Sequence, residues 1–267
     1  MSHVSTRDQL PRQESTSELA GRVAVVTGAA GAIGSRTAVA LAADGAAVMC
    51  VDIADPKEVA DRLVAAGHDA VPVTADLRDA KTVDRVFRDA VAWRGGVDIL
   101  VNMAGLFYKI PRVPFWEIDA ETWDEVVESN LRTAFLCSKA VAGPMRAAGH
   151  GRIVNVSSNT AVFGMGDFLH YVSAKAGVVG MTRSIARELG PFGIAVNAVA
   201  PGLVHTGPTR ESLPVQYLDQ VVAGQCLHRP IEVEDVVNAV RFLSSDRARM
   251  ITGQTLLVNG GASMGPF

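Results

Sequence analysis

From Leu19 onward, short β-branched runs alternate with alanine-rich segments of helical length, and this alternation limits the fold more than any other feature of the chain. The strand candidates are Val23–Thr27, Ala46–Val51, Ala70–Thr74, Val97–Val101, Arg152–Val156, Ile194–Val199 and Thr255–Val258. Their apolar runs are continuous, which predicts strands covered on both faces. Helix candidates at 33–44, 56–66, 79–93, 121–147, 170–189 and 232–244 lie between them. A β-α-β-α order predicts a doubly wound α/β fold, with a parallel sheet, right-handed crossovers and helices on both sides. No repeat and no Pro-, Gly- or Ser-rich linker divides residues 19–267, so they read as a single domain.

Composition narrows the partners. Apolar residues make up 48% and charged residues 20% of the chain, which excludes disorder for its body. A net charge of −3 without a long basic run predicts neither a nucleic-acid partner nor a polybasic membrane patch. The longest uncharged stretch, Leu189 to Thr209, is broken by Pro191, Pro201, Pro208 and four glycines, so no membrane span is expected. Cys50, Cys137 and Cys226 form neither a CxxC pair nor a disulfide framework, and the expected location is a reducing cytoplasm. The His residues have no metal-like spacing, and no metal is expected. Residues 1–18, rich in Ser, Thr, Gln and charge, read as a mobile tail. Residues 203–230, punctuated by Pro208, Pro214 and Pro230, form a long connection at the carboxyl end of a parallel strand, where a substrate lid would sit.

Three groups of residues carry chemistry. The first strand runs into Thr27-Gly28-Ala29-Ala30-Gly31-Ala32-Ile33-Gly34 and then a helix. Glycines permit a tight turn there, small residues let a pyrophosphate approach the backbone, and the helix N–H groups meet its charge. Asp52 ends the second strand, where a carboxylate can accept both ribose hydroxyls of an adenosine and would repel a 2′-phosphate. No basic residue stands at Gly31 or Ile53, and Arg36, inside the helix, is expected to be solvated. Tyr171 and Lys175 are four apart and share a helix face, while Ser158 ends the fifth strand. A phenol ordinarily titrates near ~10, and a nearby ammonium is expected to lower that.

With these motifs in order, the sequence resembles the short-chain dehydrogenase/reductase family over residues 20–262. The glycine turn matches Thr27 to Gly34, the adenine-contacting acid matches Asp76 followed by Leu77, and the turn after the fourth strand matches Asn102-Met103-Ala104-Gly105. The four catalytic positions match Asn130, Ser158, Tyr171 and Lys175, and the nicotinamide-end motif matches Pro201, Gly202, Val204 and Thr206. The resemblance implies a seven-stranded Rossmann-type sheet in the order 3-2-1-4-5-6-7 and cofactor contacts from Gly28, Gly31, Ala32, Ile33, Asp52, Asp76, Leu77, Asn102, Ala104, Gly105, Tyr171, Lys175, Pro201, Gly202, Val204 and Thr206. Two positions depart from the pattern. Ala32 replaces a glycine, with Gly31 expected to keep the turn flexible, and Met103 replaces an asparagine, which is expected to loosen the sheet locally.

The implied activity is reversible oxidation of a secondary alcohol to its ketone with NAD. Tyr171 takes the hydroxyl proton, Ser158 donates to the oxygen, Lys175 tunes Tyr171 and bonds the nicotinamide ribose, and Asn130 holds a water. The expected substrate is a small apolar molecule, cyclic or aromatic. Val162, Phe163, Met165, Phe168 and Leu169 should border the reacting carbon, and Leu106, Phe107 and Tyr108 should form the facing wall. A subunit interface is the alternative use of these side chains, and the family implies a homotetramer built on helices 121–147 and 170–189. His205 and His228 flank the lid. Rival functions are a 3-oxoacyl-thioester reductase, a sugar or polyol dehydrogenase, and a catalytically inactive dinucleotide-binding regulator.

Overall fold

A computed structural model describes residues 17–265. Strands β1 (Val23–Thr27), β2 (Ala47–Asp52), β3 (Ala70–Thr74), β4 (Ile99–Asn102), β5 (Gly151–Val156), β6 (Ile194–Pro201) and β7 (Thr255–Val258) form one sheet. All neighbouring pairs are parallel, in the order β3-β2-β1-β4-β5-β6-β7. The expected order is therefore the observed one. It reverses between β1 and β4, so a crevice opens beyond the carboxyl ends of those two strands.

The helices are α1 (Ala32–Ala43), α2 (Lys57–Ala65), α3 (Ala80–Arg94), α4 (Ala120–Val127), α5 (Thr133–Ala148), α6 (Thr160–Phe163), α7 (Leu169–Leu189), α8 (Gly207–Ser212), α9 (Val215–Ala223) and α10 (Val233–Ser244). They cover both faces of the sheet. Leu41, Leu63, Val236 and Val240 pack on one face with Val26 and Val48, whereas Val86, Phe87, Val141 and Ile194 fill the other with Val25 and Leu100. This double cover explains the unbroken apolar runs in β1 and β4, where every residue is buried. At the sheet edges the expectation fails: β3 alternates buried and open positions and β7 is partly open along its length. An edge strand has fewer neighbours to cover it.

Local sequence sets the element ends. Asp79 accepts the Thr82 N–H and starts α3, which stops at Gly95 in a left-handed conformation (φ 82°). Glu232 and Asp235 form a reciprocal capping box at the start of α10. Two expectations need correction. The helix expected over 121–147 is interrupted by a π-helical turn, Glu128–Arg132. The 203–230 connection is not an open loop, because α8 and α9 lie within it, each opening next to a proline. Residues 1–16 of the expected tail lie outside the described residues, while Ser17 donates to the Asp44 carbonyl.

Candidate active site

The expected cofactor residues converge on the crevice, at or just beyond the carboxyl ends of β1, β2, β3, β4 and β6. Gly28 has a φ of 72°, and a Cβ at Gly34 would collide with the Gly28 carbonyl oxygen. Those two glycines make the turn. Gly31, by contrast, has φ −76° and ψ 163°, which any residue can adopt, so the flexibility expected of it beside Ala32 is not what shapes the turn. Gly31 caps α1 without a side-chain hydrogen bond, and the first turn, Ala32 and Ile33 included, holds no acid. The positive end of a 12-residue helix is thus open toward the crevice and fits a pyrophosphate.

The Asp52 carboxylate is fixed beside this turn, accepting the Ala30 N–H at 2.9 Å and the Ala54 N–H at 3.1 Å. Arg36 is not simply solvated as expected: its guanidinium is paired with Glu234 of α10, with Nε 3.0 Å from the carboxylate. Asp76 takes the Arg78 guanidinium in a two-point contact, 2.7 Å at its shortest, which holds its carboxyl below the usual range. Leu77 beside it is buried.

Thr27 and Asn102 tie β1, β4 and β5 together. The Thr27 hydroxyl accepts the N–H groups of Met103 and Ala104, each at 3.0 Å. Asn102 donates to Asn155 at 2.8 Å and to Ser138 at 3.0 Å. Met103 keeps an anchor through its backbone N–H, while its side chain packs on the core. Gly105 follows. A Cβ there would lie 2.5 Å from Asn130 Oδ1 and 3.4 Å from Lys175 Nζ, so both groups border one small space. The π-helical turn aims Asn130 at it. Asn130 is buried, donates to the carbonyls of Leu106 (3.1 Å) and Val126 (3.0 Å), and leaves its Oδ1 without a partner.

Ser158, Tyr171 and Lys175 meet at the end of β5. The Ser158 oxygen accepts from the Thr160 N–H at 3.2 Å and the Thr160 hydroxyl at 3.0 Å. Burial pushes the Tyr171 phenol up to about 12, opposed by the neighbouring Ser158 hydroxyl and reinforced by Tyr108. The expected lowering by Lys175 is therefore not found. The ammonium is 5.6 Å from the Tyr171 ring centroid and donates to the Val156 carbonyl at 3.0 Å. Burial also brings Lys175 down to about 8.

Aromatic rings surround the phenol. Phe168 stacks on Tyr171 at 4.8 Å between centroids, Phe107 tilts against it at 5.4 Å, and the two phenylalanines meet edge to face at 6.0 Å. Ile110, Val126, Leu106 and Met165 complete this cluster. Phe163, expected in the same wall, instead points out at 58% exposure. Tyr108 is half exposed, and its hydroxyl contacts Thr206 at 2.7 Å and Thr209 at 3.1 Å, joining the segment after β4 to α8. Pro201 accepts the Asn159 N–H, Gly202 donates to Val258 at 2.9 Å, and Val204 bridges to Ile231, so the expected nicotinamide-end residues form one ledge. His205 lies on this ledge with an unpartnered Nε2. Cys137 is core, and burial pushes its thiol up to about 12.

Two further features escaped the sequence. Asn259 donates to Asn159 at 2.8 Å and binds the end of β7 to the residue after Ser158, a pairing across 100 positions that no local pattern signals. Arg112 lies over Phe168 in a segment without periodicity. Among the described residues no group of His, Cys, Asp or Glu could hold a metal, and no helix is long and apolar enough to cross a membrane.

Comparison with known proteins agrees with this geometry. A family model described as enoyl-(acyl carrier protein) reductase matches residues 28–263. The chain is 41% identical to the (2S)-[(R)-hydroxy(phenyl)methyl]succinyl-CoA dehydrogenase subunit BbsD of Thauera aromatica, covering 91% of this chain and 97% of that one. It is 42% identical to the cis-4-hydroxycyclohexanecarboxylate dehydrogenase of Sinomonas cyclohexanicum, over 91% and 96%. It is 38% identical to a 3-oxoacyl-[acyl-carrier-protein] reductase FabG of Staphylococcus aureus, over 90% and 98%. The crystal structure of levodione reductase superposes with a TM-score of 0.86 at 31% identity, over 91% of this chain and 98% of that one. Sheet order, crevice and these relatives agree: the chain belongs to the short-chain dehydrogenase/reductase family, oxidoreductases that act on hydroxyl and keto groups with a nicotinamide dinucleotide.

Proposed function

We propose that the protein interconverts an apolar, ring-bearing secondary alcohol and its ketone, with NAD as cofactor. The observation that carries this reading is the aromatic wall: Phe107 and Phe168 pack directly on the Tyr171 ring, so the space beside its hydroxyl is bounded by apolar surface. Polyol recognition needs several converging polar groups. Here Asn159 is bound to Asn259, and the Thr206 hydroxyl is engaged by Tyr108 and Thr209. The names of two relatives denote a hydroxyl on a cyclohexane ring and one beside a phenyl ring, which supports the same class.

The residues divide the chemistry among themselves. When bound, the cofactor supplies the hydride acceptor. The Gly28–Gly34 turn and the open end of α1 would hold its pyrophosphate, Asp52 its adenosine ribose, and the Pro201–Thr206 ledge its nicotinamide end. Thr160 fills the acceptor positions on Ser158, so the Ser158 proton remains for the substrate oxygen. Tyr171 takes the proton of the alcohol as its phenolate, a form that burial disfavours in the cofactor-free protein and that a cationic nicotinamide beside Lys175 would favour. Lys175 and the free Asn130 oxygen border the space over Gly105, where one water would pass the proton outward. The segment containing α8 and α9, fastened by Tyr108, acts as the lid over substrate. Exposed Trp116 and Phe135 beside and on α4 and α5 support the homotetramer that the family implies.

The test is a panel of alcohols read by reduced-nicotinamide absorbance. Cyclohexanol and 1-phenylethanol should exceed sorbitol and xylitol in kcat/KM by at least about tenfold, as expected when polar hydroxyls must be buried unpaired. Higher values for the polyols would overturn the apolar assignment.

Cofactor choice follows from Asp52. Its fixed carboxylate would face a 2′-phosphate, and Arg36, the nearest cation on α1, is held by Glu234. NAD should therefore exceed NADP in kcat/KM by roughly ten- to a hundredfold, and Asp52→Ala should narrow the gap. Equal values would refute this. A second reading, 3-oxoacyl-thioester reduction, is favoured by the FabG relatives and by the description of the family model. It predicts that acetoacetyl-CoA with NADPH is the fastest pair.

A further inference from the structure

Arg112 has a position that the proton chemistry leaves unexplained. Its guanidinium carbon lies 4.7 Å from the centroid of Phe168, the ring that stacks on Tyr171 at 4.8 Å. It also reaches Met165, with Nη1 3.9 Å from the sulfur. Arg112 thus bridges the segment after β4 and the segment before α7, the two whose Phe107 and Phe168 pack on the Tyr171 ring. The side chain is solvent-exposed, and among the described residues no carboxylate lies within 4.0 Å of its nitrogens. Asp167 is the one acid between Asn159 and Leu169, while the facing segment from Leu106 to Pro114 carries Lys109 and Arg112 and no acid. The rim of an apolar site is therefore cationic.

A guanidinium over an aromatic face keeps its in-plane N–H groups for a planar acceptor, and carboxylates match that fork in two-point contacts. One aromatic ring, Phe168, stands between the guanidinium and the Tyr171 ring, with contacts of 4.7 Å and 4.8 Å on it, so the cation lies at the edge of the aromatic wall beside the phenol. We propose that Arg112 determines specificity by binding a carboxylate on the substrate, so that the preferred substrate is a ring hydroxy acid or its oxo acid. The proposal rests on the ring-alcohol reading and names the polar end of that substrate. Arg112 touches neither the reacting carbon nor the proton path.

The experiment compares 4-(1-hydroxyethyl)benzoate with its neutral isostere 1-(4-methylphenyl)ethanol in the wild type, Arg112→Met and Arg112→Lys. A charge-assisted two-point contact should favour the acid in the wild type by roughly ten- to a hundredfold in kcat/KM. Arg112→Met should erase this preference through KM and leave the neutral alcohol within about twofold. Arg112→Lys should restore part of it. Calorimetry of benzoate binding to the NADH complex gives a readout independent of turnover, and affinity should fall by a similar factor in Arg112→Met. Turnover of the neutral alcohol without preference for the acid overturns the Arg112 proposal alone. Equal losses on both substrates in Arg112→Met also overturn it, making the residue a support for the Phe168 wall. No turnover of either compound or of cyclohexanol overturns the ring-alcohol reading, and this proposal with it.

Discussion

Tyr171→Phe should lower kcat by about 10²- to 10⁴-fold while leaving NADH affinity within a few-fold of the wild type. Phenylalanine keeps the ring that Phe168 and Phe107 pack against, so the aromatic wall should survive the substitution. Only the hydroxyl is lost, and with it the group proposed to accept the alcohol proton. Loss of a buried phenol at 7% exposure also removes a polar atom from an apolar cluster, so the fold should not suffer. The check is steady-state kinetics together with NADH fluorescence titration. Retention of more than a tenth of wild-type kcat would exclude Tyr171 as the base. A matching loss of NADH affinity would assign it a cofactor-binding role instead.

Lys175→Met should abolish turnover to a similar degree and at the same time stabilise the cofactor-free protein at pH 7. Lys175 is buried at 5% exposure, donates to one backbone carbonyl, and has no carboxylate within 4.0 Å among the described residues. Its ammonium titrates at about 8 in the fold against 10.5 for an ordinary lysine. Between those values the unfolded chain binds more protons than the folded one, so wild-type stability rises with pH across that window. Below pH 8 the penalty for a buried charge is fully present. Methionine removes that charge at similar volume and leaves the Val156 carbonyl without its donor. The net gain should be on the order of 1–3 kcal/mol, seen as a Tm higher by a few degrees and a loss of the rise above pH 8. Tyr171, raised to about 12, acts in the opposite sense, but only above pH 10. A variant that is less stable than the wild type at pH 7, with the same pH slope, would contradict this account of the site. A buried ammonium without a carboxylate partner, kept at a cost in stability, is what a group retained for function rather than for the fold looks like.

The fold was legible because its signals are local. β1 reads as an apolar run, Val23–Thr27, and α3 begins and ends on recognisable residues, Asp79 and Gly95. The motif residues were also legible: Gly28, Asp52, Asn102, Ser158, Tyr171 and Lys175 stand at strand ends or on one helix face, where sequence spacing fixes position. Side-chain pairing across elements was not legible. Nothing near Arg36 foretold Glu234, and nothing near Tyr108 foretold Thr206 and Thr209. The expected lowering of the Tyr171 pKa also failed, since a four-residue helical spacing brings Lys175 alongside the ring and does not report how deeply both are buried. Phe163 was misplaced for a related reason. It sits in a four-residue helix, and only its Gly164 cap, at φ 71°, reveals that the chain turns away before returning through Met165 and Phe168.

The central claim is that a ring alcohol held beside Ser158 and Tyr171 gives up its carbinol hydrogen directly to bound NAD. Cyclohexanol deuterated at the carbinol carbon, incubated with the protein and NAD in ordinary water, tests it by mass spectrometry of the recovered cofactor. The account predicts one deuterium in each reduced nicotinamide and none exchanged into solvent. Recovery of unlabelled NADH, or of NAD that remains oxidised while xylitol reduces it readily, would contradict it.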